Sequence, residues 1–179
     1  MFMPLIQKRR SIRKYQKKAV PPEKMDQLVE AVLRSPSSMG NNPWEFIVVT
    51  DPAVLEKLSV AKPHGAAFLK HAPLGIVVCG DPGKSQVWIE DCAIASIFIH
   101  LAAQGMGLGS CWIQIRERMH DEVQSAGDYV ADVLGIPARM EVEAIVAAGY
   151  PDEEKPPHPE TSLQYEKVFR DAYGVPFGP

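Results

Sequence analysis

Gly105–Ile115, GMGLGSCWIQI, decides which fold this chain can have. Its glycines at 105, 107 and 109 suggest the Gly-x-Gly-x-x-Gly turn that receives a dinucleotide pyrophosphate. That turn requires its third glycine at position 110, where Ser110 stands. It also follows a strand and opens a helix, whereas this stretch follows the long apolar run Ile89–Gln104. We read Gly105–Gly109 as a helix stop and GSCWIQI as the strand that comes after it, which removes a dinucleotide-binding sheet from consideration.

Working outward, the run before the glycines is apolar nearly all round, and a helix of that kind is buried on every side. In a chain of 179 residues a partner subunit is the expected cover. The uninterrupted apolar part, Cys92–Ala103, falls short of the ~20 residues a membrane-spanning helix needs, and Ser96 and His100 break it. Further upstream, PPEKMDQLVEAVLRS places Met25, Leu28, Val29, Val32 and Leu33 on one helical face, with Pro21 and Pro22 at its start and Ser35-Pro36 at its end. Glu45–Val49 is expected to be a short buried strand, followed by Asp51 as N-cap and Pro52 as first residue of a helix burying Val54, Leu55 and Leu58. Leu74–Cys79 and Val142–Ala148 complete the expected strands. DPGKS, Asp81–Ser85, resembles the end of a phosphate-binding P-loop, but Val78 occupies the place of the required first glycine, inside a strand.

With 46% apolar residues the chain is expected to form one domain, residues 1–179, around an ordinary core. The N-terminal MFMPLIQKRR has its basic residues after its apolar ones, the reverse of a secretory signal. Cys79, Cys92 and Cys111 are odd in number and lack C-x-x-C spacing. A reduced, cytoplasmic protein without structural zinc is the expectation. His64, His71, His100 and His120 have no metal-ligand spacing, and no metal is expected. From Tyr150 onward the chain is rich in proline and poor in aliphatic residues, yet keeps Leu163, Tyr165, Val168, Phe169, Tyr173 and Phe177. Residues 150–179 read as an arm that wraps over a partner subunit.

The segment KRRSIRKYQKK, Lys8–Lys18, holds seven of the 19 Lys and Arg residues and no acid; the other 12 basic residues face all 22 acidic ones, a formal balance of −10. Three readings compete. Lys14, Lys17 and Lys18 fit a solvated charged turn. Nucleic-acid binding would spread basic character over a face, and the surrounding negative balance opposes it. A small anionic ligand suits Arg9, Arg10 and Arg13 around Ser11, since guanidiniums and a hydroxyl satisfy a phosphate by charge-assisted hydrogen bonds.

RRSIRKY, SPSSMGNNPWEFIVV, GMGLGSCWIQI and EAIVAAGYPDEEKP, in that order over nearly the whole chain, resemble the nitroreductase family of FMN-dependent oxidoreductases. The resemblance implies an α+β fold: a three-layer sandwich, with a mixed and largely antiparallel sheet flanked by helices, as an intertwined homodimer with exchanged C-terminal arms and two FMN sites at the subunit interface. It implies hydride transfer from NADH or NADPH through flavin N5 to a small-molecule acceptor such as a nitroaromatic or quinone, by ping-pong kinetics. The flavin carries the chemistry, so no catalytic side chain is expected. By position, Arg9, Arg10 and Ser11 match the element that holds the FMN phosphate and ribityl chain. Arg13 matches the basic residue beside flavin N1 and O2, where it supports the reduced flavin. Pro36, Ser37 and Ser38 match the loop that the partner subunit lays on the same flavin, though locally they read equally well as a helix stop and polar turn. Ile113 and Gln114 match a segment whose backbone N–H faces N5; as side chains they are equally plain strand residues. Trp44, Trp112 and the stretch Pro63–Phe68 are candidates for the acceptor pocket, with a core role favoured for both tryptophans.

The chain departs from the family pattern in two places. Gly40 stands where many members have Asn, and Asn42 where they have Gln before Pro-Trp, with Asn41 a possible substitute for the missing amide. Lys155 matches the first basic residue of the C-terminal phosphate clamp, and only His158 lies near the second. These departures would register in flavin affinity or its pH dependence. The alternative function, on the same fold, is a protein that binds or consumes flavin without NAD(P)H-dependent turnover.

Overall fold

The computed structural model describes residues 2–178; Met1 and Pro179 lie outside them. In chain order the elements are α1 (Phe2–Lys8), α2 (Pro22–Leu33), β1 (Trp44–Val49), α3 (Pro52–Leu58), β2 (Leu74–Gly80), α4 (Trp88–Gly105), β3 (Gly109–Gln114), α5 (Ala126–Leu134) and β4 (Glu141–Gly149). The strands form one sheet in the order β1-β2-β4-β3, every neighbouring pair antiparallel. The expected mixed sheet is corrected to this extent: among the described residues, the parallel pairing is a bridge between Ser11 and Ser110.

β2 and β4 lie in the middle and are buried on both faces, because their alternating side chains supply two cores. Val77, Cys79, Val142 and Ile145 face a core completed by Leu55 and Leu58 of α3 and Val130 of α5. Leu74, Ile76, Val78 and Val146 face the other, closed by Leu28 and Val32 of α2 and Cys92, Ala95 and Ile99 of α4. Helices therefore cover both faces, giving three layers. β1 is half-exposed, not buried as expected, because it is the edge strand beside β2 and has no neighbour beyond it. Leu33, placed on the buried face of α2 by periodicity, is 55% exposed.

Local chemistry sets the ends of the elements. The Asp51 carboxylate accepts from the Ala53 N–H at 2.8 Å, with Pro52 at the first helical position of α3. Helix α5, absent from the sequence expectations, is capped by Ser125, whose Oγ accepts from the Asp128 N–H at 3.0 Å, and stops at Gly135 in the left-handed conformation. The three cysteines are buried and unpaired. The stretch Asp81–Ser85 is a turn in which Asp81 accepts from the Gly83 N–H at 2.9 Å, so its backbone donor is already used within the turn.

Candidate functional site

The glycine stretch positions the basic segment. Gly107, with φ +73°, turns the chain away from α4. Gly109 starts β3, and a Cβ there would lie 2.7 Å from Ile12 Cβ. Only a hydrogen in that place lets residues 11–12 lie against the strand, where the Ile12 N–H donates to Ser110 O at 3.0 Å. Buried Tyr15 fastens the far end, its hydroxyl donating to Ile12 O at 2.6 Å. The C-terminal segment closes over the other side. The Lys155 ammonium donates to Ser11 O at 2.7 Å, and the Arg10 guanidinium donates to Pro156 O. Glu153 accepts from the Arg13 N–H at 2.6 Å and the Lys14 N–H at 3.2 Å, and pairs with Lys155 at 3.2 Å. Those backbone donors, with Lys155, hold its carboxyl below the usual range.

Arg9 and Ser11 face α4 across a cleft of about 400 Å³, whose other walls are Ala93, Ile97, His100 and Trp112. His100 Nδ1 lies 2.7 Å from Ser110 Oγ. Burial, and then the neighbouring Arg9 charge, push His100 down to about 4, so it stays neutral and leaves the cations to Arg9 and its neighbours. Arg13 extends outward with its guanidinium 6.0 Å from the Phe68 ring centre. Among the described residues, Arg9, Arg10 and Arg13 make no ion pair with an acidic side chain, whereas Lys155 pairs with Glu153. Burial raises the Cys111 thiol while Arg13, Lys155 and Ser11 oppose the shift, which places that thiol among the same cations.

Ile113 and Gln114 follow on the same strand. The Ile113 side chain is in the core, whereas Gln114 accepts from the Trp112 indole N–H at 2.9 Å and donates to Arg116 O at 2.9 Å. Trp44 is half-buried, packed with Phe46 against the α2–α4 core, and among the described residues its indole N–H has no partner. Trp112 instead walls the cleft. His158 is exposed.

The loop Pro36–Asn42 lies elsewhere. The Asn42 N–H donates to Ser37 Oγ at 2.9 Å and the Ser37 hydroxyl donates to the Asn42 side chain at 2.8 Å. Met39, Gly40 and Asn42 all have positive φ, and Met39 is 94% exposed. Its anchor is buried Asp91 in the first turn of α4, which accepts from the Ser38 N–H at 2.8 Å. Asp91 and His100 are nine residues apart on one helix, about 13 Å along its axis. One chain thus brings Arg9, Arg10, Ser11, Arg13 and Lys155 together and leaves Pro36, Ser37, Ser38 and Asn42 at the other end of α4. Sequence reasoning missed His100 and Glu153 as parts of the site; the signal for His100 was a titratable side chain inside an otherwise apolar helix.

The model of the nitroreductase family matches residues 6–62 and 59–150. The chain belongs to the nitroreductase family. In this family its fold resembles an FMN-dependent nitroreductase from Clostridium difficile R20291, with a TM-score of 0.94 and 45% sequence identity, covering 96% of this chain and 99% of that one. A Methanothermobacter thermautotrophicus protein that carries the provisional name NADH dehydrogenase/NAD(P)H nitroreductase is 38% identical over 151 residues, 83% of this chain and 76% of its own. The NADH dehydrogenase of Thermus thermophilus is 29% identical over 189 residues, 90% and 91% of the two chains. Two arginines, a lysine and a hydroxyl beside an aromatic wall are the donors a phosphorylated, planar cofactor needs, so the residues present fit FMN.

Proposed function

We propose that this nitroreductase-family protein is an FMN-dependent NAD(P)H oxidoreductase that reduces a small-molecule acceptor such as a nitroaromatic or quinone. The observation that carries this reading is a cleft lined by Arg9 and Ser11 and walled by Trp112 and Ile97, with Lys155 bound to the Ser11 carbonyl and Arg10 to Pro156 O beside it. Bound FMN would supply hydride acceptance from the nicotinamide and hydride release to the acceptor. The chain's own residues bind and orient. Arg9, Arg10 and Lys155 neutralise the phosphate; Ser11 offers its hydroxyl; Arg13, steadied over Phe68, places a cation where negative charge develops. His158 is assigned the second, weaker place in the phosphate clamp. The Ile113–Gln114 backbone is assigned to the ring edge, with the Gln114 amide held by Trp112 and Arg116.

The remaining ring contacts belong to Pro36, Ser37, Ser38 and Asn42 of a second copy in a homodimer. Two features support this arrangement. The loop lies too far along α4 to serve the cations of its own chain, and the exposed Ile94 and Ile97 of α4 need a cover, as do Phe2, Met3 and Ile6 of α1. Residues 150–179 act as the arm over that copy: Leu163, Tyr165, Val168, Tyr173 and Phe177 are 45–93% exposed on their own chain.

An absorbance spectrum of the purified protein, before and after NADH and then NADPH under anaerobic conditions, tests the proposal. Yellow protein that bleaches is the expected result. Yellow protein that stays yellow would move the function to flavin binding or consumption without nicotinamide turnover. Colourless protein that takes up no added FMN would overturn the site.

A further inference from the structure

The basic segment does not end at the cleft described above. Past Tyr15, Lys17 and Lys18 line a second, larger hollow of about 810 Å³. Lys70 and His71 reach it from the segment before β2, and Thr50 and Pro52 from the turn after β1. Its floor is apolar, with Val20 and Ala72 in the core and Met25, Pro22 and Pro73 around them. Among the described residues no carboxylate lines it. Three carboxylates adjoin lining residues in sequence: Glu23 and Asp26 on α2, and Asp51, which is occupied as the N-cap of α3. At the edge of the hollow the Lys18 ammonium sits 4.2 Å from the Tyr150 ring centre, which also receives the Lys24 ammonium at 4.8 Å.

Three lysines drawn from two distant segments, without a counter-charge, are unexpected on a chain of net charge −3. The concavity is within the usual size of small-molecule sites, and an apolar floor with a cationic rim selects a ligand of the same two-part character. We propose that this hollow binds a small organic anion, a carboxylate carried on a short aliphatic or aromatic body, at a site separate from the Arg9–Lys155 cluster. The carboxylate meets Lys17, Lys18 and Lys70, and the body lies on Met25, Val20 and the prolines. The site does not depend on the flavin reading.

The test is a titration of the isotope-labelled full-length protein with octanoate, followed by amide chemical shifts, with octanol as the uncharged control. Octanoate is expected to shift residues 17–20 and 70–72 while the flavin spectrum stays unchanged, and octanol to bind about ten-fold more weakly or worse. The pair K17Q and K70Q, both exposed and neither placed in the flavin site, should weaken octanoate by a similar factor and leave octanol unaffected. Absence of localised shifts would overturn the proposal, whatever covers the hollow. So would equal binding of octanol, or shifts confined to residues 9–13, which would assign the anion to the phosphate cluster.

Discussion

His100 shows how one buried side chain sets a property of the whole site. Its folded-state value of about 4 lies below the ordinary 6.5, so between those values the unfolded chain binds a proton that the folded chain refuses. Stability therefore rises with pH across that window, by about 3 kcal/mol at most, and is flat below it. His100→Gln keeps a partner for Ser110 without titrating. Melting temperatures from pH 7 to 4 should fall less steeply in the variant, and identical slopes would contradict the role given to His100. Position by position, the sequence singled out Arg9, Arg10 and Arg13 around Ser11, because a run of charge without counter-charge is visible in one dimension, whereas Lys155, beside Glu153 and Glu154, was singled out only by the family resemblance. It could not mark Glu153, whose effect on the Arg13 and Lys14 amides exists only once residues 150–156 fold back across 140 positions of chain.

At the level of elements, α2, α3, α4 and all four strands were legible from periodicity and turn chemistry. Helix α5 was not, because its nine residues mix small, acidic and apolar side chains, and its burial comes from α3 and β4. The register of residues 11–12 on β3 was equally hidden, since it depends on a missing side chain at Gly109. Gly109→Ala should cost about 1–3 kcal/mol by overpacking against Ile12. It should also lower retained flavin more than that destabilisation explains, because the displaced segment carries Ser11 and Arg13. Gly127→Ala in α5, whose added Cβ would meet only Ser125 Oγ at 3.7 Å, is the control and should leave flavin content unchanged and the melting temperature equal or slightly higher. Flavin loss in proportion to stability alone would show that Gly109 serves packing and not the site.

For the whole molecule, the apolar helix was read as buried on every side with a partner subunit as cover, whereas within one chain a face of it is exposed. That face bears Ala93, Ile94 and Ile97. Ile94, 40% exposed and outside the cleft, is the place to test it. Ile94→Glu would bury an unpaired carboxylate in the proposed dimer and weaken association by about 100-fold or more. Sedimentation should show monomer at concentrations where the native protein is dimeric, with flavin lost in parallel. A dimer that survives the change would place the interface elsewhere. The sheet's strand directions were not legible in the sequence, because each strand reveals its own pattern but not which neighbour it pairs with; all four prove antiparallel.

Helix α4 separates the Ser37–Asn42 loop from the Arg9 cluster, and that separation has a genetic reading. If each site takes its cations from one copy and its loop from the other, damage to the two parts is distributed over different subunits. A copy disabled by Arg9→Ala and a copy disabled in the Pro36–Asn42 loop would each be inactive as pure dimers. When the two are co-expressed, both lesions fall on the same site of the mixed dimer, and its other site is built wholly from intact parts. Two dead alleles would then complement each other.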